Sequence, residues 1–387
     1  MFSNRSRHQR STSASYRRRA HPLVALLKWA VALPIIGYLC VLTVLLVGWQ
    51  VAPTRFDLFE ITNVFALWFC LPLLVIAPLA YGLRLWGSFV GTMVLLLVVV
   101  ASFGLGMLPN LNRPTLASTT GPLLRVVTHN KLYFTDDTQA LARVLLAQDA
   151  DIIGLQELTG NDKQALDTLL AEHYPYRALD NDGPLGSLGL LSRFPIVSEA
   201  RVPGISAAHF LLDVYGQPIH VINLHAPVPE TGLDRTGMLG RFVPRPTYDA
   251  TRRDAQLTAL VDYTGGIQGP LIMIGDFNLS DREPFYDILN NPLHDSFDEA
   301  GWGAGFSFPN LQHRSAGVLI DYLLDVVGIG DRIAFASAPL PQLPPLVRID
   351  YIWTNDALVP LSSRLRCEEL DSDHCMLISD VGLLSRT

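Results

Sequence analysis

Three stretches of this chain contain no Asp, Glu, Lys or Arg: residues 29–54, 61–83 and 85–112. A helix needs about 20 mostly apolar residues to cross a bilayer, and each stretch is long enough. Buried helices of soluble domains rarely run uncharged for this distance, so the pattern predicts three spans, at 29–48, 64–83 and 86–108. Pro34, Pro72 and Pro78 would break helices in water; in a membrane, neighbouring helices re-satisfy the carbonyls they free. Trp29, Trp49, Trp68 and Trp86 fall near the predicted span ends, where amphipathic rings prefer the interface.

Charge divides the chain again. Residues 1–120 hold 10 Lys and Arg and two acidic residues, Asp57 and Glu60. Residues 121–387 hold 19 Lys and Arg against 34 Asp and Glu, a net of −15. Arg5, Arg7, Arg10, Arg17, Arg18, Arg19 and Lys28 precede the first span, and Arg84 separates the second from the third. Basic flanks stay in the cytoplasm. The expectation is a multi-pass protein of the cell's inner (plasma) membrane, its N-terminus cytoplasmic and residues 113–387 outside. The first uncharged stretch is too long for a cleaved signal peptide. Four parts follow: a basic tail (1–21), an anchor (22–108), a linker rich in Pro, Ser and Thr (109–122) and one large domain (123–387). Charged residues make up only 17% of the chain, which excludes a disordered or wholly soluble protein.

The domain alternates apolar runs with helical spacing. Strands are predicted at 123–128, 151–155, 186–191, 209–214, 219–224, 271–275, 348–353 and 374–381, and helices at 138–148, 163–172 and 250–263. This is an α/β layered sandwich, whose functional residues belong on loops at strand ends. Cys367 and Cys375 lie in this outer domain; a disulfide and two buried thiols both fit.

Polar residues recur at the ends of these runs: Asn130, Gln156 and Glu157, Asn223 and His225, Asp276 and Asn278, Asp350, Asp373 and His374. One such residue is ordinarily a turn former; six convergent positions suggest a pocket. Hard cations such as Mg²⁺ take oxygen ligands, often one or two carboxylates plus waters, and Glu157 with Asn130 and Asp373 would supply that set. Phosphate-ester hydrolysis needs an activated water, charge neutralisation and help for the leaving group. Asp276 can orient or deprotonate water. His374 can donate to a phosphoryl oxygen if Asp350 holds its ring. His225 is a second phosphate donor or acid.

The ordered set THN (128–130), LQEL (155–158), NLH (223–225), GDFN (275–278), RIDYIW (348–353) and SDH (372–374) resembles the endonuclease/exonuclease/phosphatase superfamily, the DNase I-like fold. The whole plan looks like its bacterial membrane-tethered members. The resemblance implies a DNase I-like layered β-sandwich flanked by helices, and a metal-dependent phosphoesterase, of phosphodiesterase or endonuclease type, using Mg²⁺ or Mn²⁺. It implies a metal-binding role for Glu157, Asn130 and Asp373, and a water-activating role for Asp276 with Asn278 beside it on the phosphate. Asp350 and His374 resemble the paired aspartate and histidine, and His225 the histidine of the nuclease and lipid-esterase branches. Asp321 in LIDYLL competes with Asp350, but Asp350 lies 23 residues before the SDH triplet and Asp321 lies 52, and the shorter spacing fits the family. Leu132 stands where the apurinic endonucleases carry an aspartate, which argues against DNA repair.

Between His225 and GDFN a Gly/Pro-rich loop carries Arg235, Arg241 and Arg245, and Arg252 and Arg253 follow. Arg241 and Arg245 are candidate phosphate contacts; pairing with Asp234, Asp249 and Asp254 is the alternative. The acidic domain argues against tight duplex binding. Three readings stand: a diesterase acting on nucleic acid, a sphingomyelinase-like diesterase acting on a phospholipid head group, and an inactive membrane scaffold of the same fold. The lipid bilayer is an expected partner, and no protein partner is implied.

Overall fold

The computed structural model describes residues 22–104, 106–108, 119–133, 135, 137–179, 187–236, 245–310, 344–368 and 370–384. The basic tail, most of the linker, Arg241 and Asp321 lie outside the described residues. The apolar front begins with α1 (Pro22–Val51), 30 residues with Pro34 inside it. Then come α2 (Asp57–Val64), α3 (Ala66–Cys70), α4 (Pro72–Gly82) and α5 (Trp86–Val99), which runs on as a π-helical turn, Val100–Gly104. Leu42, Leu46, Trp49, Leu73, Val99 and Phe103 pack these helices together. Many other large apolar side chains of α1, α4 and α5 are exposed, as suits a lipid solvent.

Among the described residues two helices, Leu26–Val51 and Trp86–Gly104, are by themselves long and apolar enough to cross a membrane. The expected second span is different. Asp57–Val64 and Ala66–Gly82 are bent from each other by 87°, so α2 leaves the axis of the helices that follow. Taken together, the bent pair passes the same test of length and composition as a third, broken span. The break has a local cause. Phe65 leaves the helical region at φ −103°, ψ 22°; Pro72 opens α4 after an αR Leu71, and the run Ala66–Gly82 keeps its direction through it.

The domain is built on two six-stranded sheets. The first contains β1 (Thr119–Asn130), β2 (Ile152–Gln156), β3 (Tyr176–Ala178), β4 (Gly189–Ser192), β13 (Leu358–Arg366) and β14 (Met376–Leu384), in the order β13-β14-β1-β2-β4-β3. The second contains β5 (Ile196–Arg201), β6 (Ala207–Val214), β7 (Gln217–His225), β10 (Leu271–Asp276), β11 (His294–Asp295) and β12 (Asp350–Thr354), in the order β11-β12-β10-β7-β6-β5. A separate hairpin pairs β8 (Glu230–Asp234) with β9 (Arg245–Asp249). Val126, Ile152 and Leu190 of one sheet meet Phe210, Val221, Ile272 and Ile352 of the other in the central core. The outer faces are covered by α6 (Thr138–Leu146) and α7 (Gly160–Leu169) on one side. On the other lie α8 (Thr251–Thr264) and α9 (Pro284–Asn290). Central strands covered on both faces read as unbroken apolar runs, which is why β2, β10 and β12 stand out in sequence.

Two differences from the sequence reading have plain causes. Helix α7 begins at Gly160, three residues before the expected start, because Thr159 and Asp162 form a capping box. Strand β13 is absent from the expected list because Pro360 and two serines hide its alternation; it is an edge strand, where proline is tolerated. Cys367 and Cys375 are disulfide-bonded.

Candidate active site

Register brings the motifs together. Parallel pairing of β10 with β7 sets Asp276 opposite His225. Antiparallel pairing with β12 sets Asp276 opposite Asp350. In the other sheet, parallel pairing of β1 and β2 sets Asn130 beside Gln156, with Glu157 next in the chain. Each sheet thus delivers its polar residues to the same edge of the sandwich. Asn130 joins the two rows: its Nδ2 donates to Glu157 Oε1 at 2.9 Å and to Asp276 Oδ2 at 3.0 Å.

Gly275 makes the close approach of β10 to β7 possible. Its φ is +147°, and a Cβ there would lie 2.0 Å from the carbonyl oxygen of Leu224. Three non-glycine residues around the site hold left-handed backbone: Leu132 at φ 66°, Glu157 at 59° and Asn278 at 47°. Asparagine tolerates this conformation; leucine and glutamate are strained in it. The turn at Leu132 lets the Tyr133 amide donate to Glu157 Oε2 at 2.8 Å. The turn at Asn278 lets its amide donate to Asp276 Oδ1 at 2.9 Å, while its side chain donates to Ala226 O at 2.9 Å.

His374 Nδ1 donates to Asp350 Oδ2 at 2.9 Å, leaving Nε2 3.7 Å from Asp276 Oδ2 and 4.0 Å from Asp373 Oδ1. Burial alone would lower the His374 ring. Asp350 and Asp276 outweigh it and hold the ring up at about 10, so it is charged at neutral pH. Burial pushes the Asp276 carboxyl up to about 6; Asp350 adds to the rise, and His374 and His225 oppose it. His225 Nε2 lies 3.6 Å from both Glu157 Oε1 and Asp276 Oδ2.

Two sets of groups compete as a cation site. Ligand atoms of Asp276, Asp350 and His374 lie within 4.8 Å of one another. Asp350 Oδ1 is buried without a hydrogen-bond partner among the described residues. In that set His374 could offer only Nε2, because Nδ1 already bonds Asp350 Oδ2 at 2.9 Å. Glu157 offers carboxylate oxygens and its side chain stays 23% exposed, which fits a hard cation that keeps several waters; Asn130 turns Nδ2 toward it, its Oδ1 accepting from the Leu132 amide at 3.0 Å.

Of the candidate residues, Asn130, Glu157, His225, Asp276, Asn278, Asp350, Asp373 and His374 therefore share one edge. Arg245 does not join them: it pairs with Asp234 Oδ2 at 2.6 Å across the β8–β9 hairpin. Arg253 is buried and structural, gripping Glu283 at 2.8 Å. Asn223 ties the two sheets from inside, donating to Leu155 O and Gly189 O and accepting from Gln156. Two site residues escaped the sequence reading. Ser372 Oγ donates to Asn130 O at 2.6 Å and accepts from the His374 amide at 3.0 Å; the SDH triplet held that signal. The Phe308 ring sits 4.8 Å from the His374 ring, and it comes from an irregular segment with no pattern to announce it.

A family model for the endonuclease/exonuclease/phosphatase family matches residues 128–374. The chain belongs to this family. Every candidate residue named above lies inside the matched span. No curated protein gives a significant match. Solved structures similar to the chain include D. rerio TDP2 complexed with single strand DNA product, at 16% identity and TM-score 0.48 over 68% of this chain and 100% of that one. They also include an endonuclease/exonuclease/phosphatase from Bacteroides vulgatus, at 15% identity and TM-score 0.45 over 68% and 100%. A third is sphingomyelinase C from Streptomyces griseocarneus, at 17% identity and TM-score 0.42 over 67% and 99%.

Proposed function

We propose that the chain is a membrane-anchored, divalent-cation-dependent phosphodiesterase. The observation that carries this reading is the Asp350–His374–Asp276 array standing against Glu157 and Asn130. In this mechanism Asp276 accepts a proton from water as the water oxygen bonds to phosphorus. The charged His374 donates to a phosphoryl oxygen, and Asp350 keeps its ring aimed. The bond to the leaving oxygen breaks as that oxygen takes a proton from His225, giving an alcohol and a phosphomonoester. Asn130 and Asn278 fix the carboxylates so that little reorganisation is needed. Glu157 and Asn130, with Asp373, would hold Mg²⁺ or Mn²⁺, which when bound supplies charge neutralisation at the phosphoryl oxygens.

The domain is proposed to lie outside the cytoplasmic membrane. The basic residues before α1 favour a cytoplasmic tail, and the Cys367–Cys375 disulfide suits an oxidising compartment. The test uses the purified full chain in detergent with bis(p-nitrophenyl) phosphate. Hydrolysis is expected with Mg²⁺ or Mn²⁺ and is lost in EDTA. Asp276→Asn and His374→Ala are expected to lower kcat by about 10²–10⁴-fold. No turnover with either metal, or variants as active as the parent, would leave the scaffold reading.

A further inference from the structure

We infer that the site takes its phosphodiester from an amphiphile held in the bilayer, a phospholipid head group, and not from a nucleic acid. This rests on the hydrolase reading above and names its substrate class. The carrying observation is which edge of the sandwich is joined to the anchor. Asn63 Nδ2 at the end of α2 donates to Arg282 O at 2.6 Å, six residues past Asp276. Trp68 Nε1 on α3 donates to Leu346 O at 2.8 Å, four residues before Asp350. Gly303 N donates to Met107 O at 3.1 Å, just past the π-helical turn, and the Arg282 guanidinium lies 4.7 Å over the Phe103 ring. The Trp68 ring lies 6.2 Å from that of Phe306, two residues before the Phe308 that packs on His374. These joints all fall on loops at the catalytic edge.

The anchor's side of the joint is equally restricted. Its residues lie at the end of α2, on α3 and at the end of the Trp86–Gly104 helix, while Arg84 marks the opposite end between α4 and α5. One end of the bundle, hence one face of the bilayer, therefore lies beside the catalytic edge. The rim there is apolar and amphipathic. Trp302, between Gly301 and the Gly303 that bonds the anchor, is 76% exposed. Val228, three residues past His225, and Tyr133, whose amide holds Glu157, are also exposed. Exposed tryptophan and tyrosine beside the ends of spanning helices suit the head-group layer.

Electrostatics points the same way. A polyanion needs a basic groove. Among the described residues near this edge Arg245 is paired with Asp234, Arg282 lies beside Asp281, and Arg348 and Arg253 are buried among carboxylates, which leaves Arg235 and Arg252 as scattered exposed cations. A head group confined to the same surface needs no long-range steering, because tethering itself sets a high effective concentration.

The experiment compares the full chain, reconstituted with Mg²⁺ in vesicles of phosphatidylcholine, phosphatidylglycerol and sphingomyelin, with the same protein given bis(p-nitrophenyl) phosphate, single-stranded DNA or RNA. Released phosphorylated head group or diacylglycerol is read by mass spectrometry. Vesicle lipid is expected to turn over at least tenfold faster than either nucleic acid. Trp302→Ala is expected to raise the apparent KM for vesicle lipid about tenfold while changing kcat/KM for the soluble diester less than twofold. Turnover of the soluble diester without lipid turnover overturns the inference and spares the hydrolase reading. So does faster cleavage of DNA or RNA, or a Trp302→Ala loss equal on both substrates. No hydrolysis of any substrate defeats both.

Discussion

At the scale of single residues, the site depends on backbone as much as on side chains. Asp276 and His225 stand side by side because β10 and β7 pair in parallel with no Cβ between them at Gly275. An added methyl there meets a backbone oxygen, not a flexible side chain, so nothing nearby can yield. Gly275→Ala is expected to destabilise the domain by about 2–4 kcal/mol, since overpacking and a positive φ act together. Urea denaturation monitored by tryptophan fluorescence measures it; an unchanged midpoint would contradict the close approach. In sequence Gly275 is only the end of a predicted strand, because the atom it must avoid belongs to another strand.

Elements set the loops that carry the chemistry. Helix α8 inserts Arg253 under the segment after β10, where its guanidinium donates to Asn278 O at 2.8 Å and bidentately to Glu283 at 2.8 and 3.1 Å. Glu283 in turn accepts from the Ser280 amide at 2.7 Å and the Tyr248 hydroxyl at 2.7 Å. In sequence this arginine is indistinguishable from its exposed neighbour Arg252; only its burial separates them. Arg253→Met leaves Glu283 buried and uncompensated, and is expected to cost about 3–5 kcal/mol. Kinetics of the surviving folded protein should show kcat falling more than KM rises, because Asn278 loses its support while the pocket stays open. Arg253→Lys should recover little, since a lysine cannot reproduce the fork. Full recovery would show that charge alone is needed.

On the scale of the whole molecule, the apolar helices meet the domain at the edge that carries the candidate site, through Asn63, Trp68 and Phe306. The segment 306–310 is the strap between them. Phe306 meets Trp68, and Phe308 O accepts from the Leu346 and Val347 amides at 2.8 Å each. Ser307 O accepts from Cys375 N at 2.8 Å, and Asn310 N donates to Asp373 O at 2.6 Å. Trp68→Phe keeps a ring but removes the donor to Leu346 O. Faster amide exchange is expected at Leu346 and Val347, with protection of β2 and β10 unchanged. Uniform exchange across the domain would mean that the joint carries no local stability.

Much of the architecture is legible in the sequence because it follows from local patterns. Uncharged runs mark the apolar helices, apolar runs mark β2, β7, β10 and β12, and the ordered short motifs mark the family and eight residues that share one edge as a candidate site. These signals survive without tertiary knowledge because strand and helix periods are properties of neighbouring residues. The tertiary structure alone decided the rest. It bent the second apolar segment at Phe65, paired Arg245 with Asp234, buried Arg253, and brought Phe308 onto His374. Above all it chose which edge of the sandwich meets the apolar helices. The burial of Arg253 and the Phe308–His374 contact join residues tens of positions apart, and no local period records such a contact.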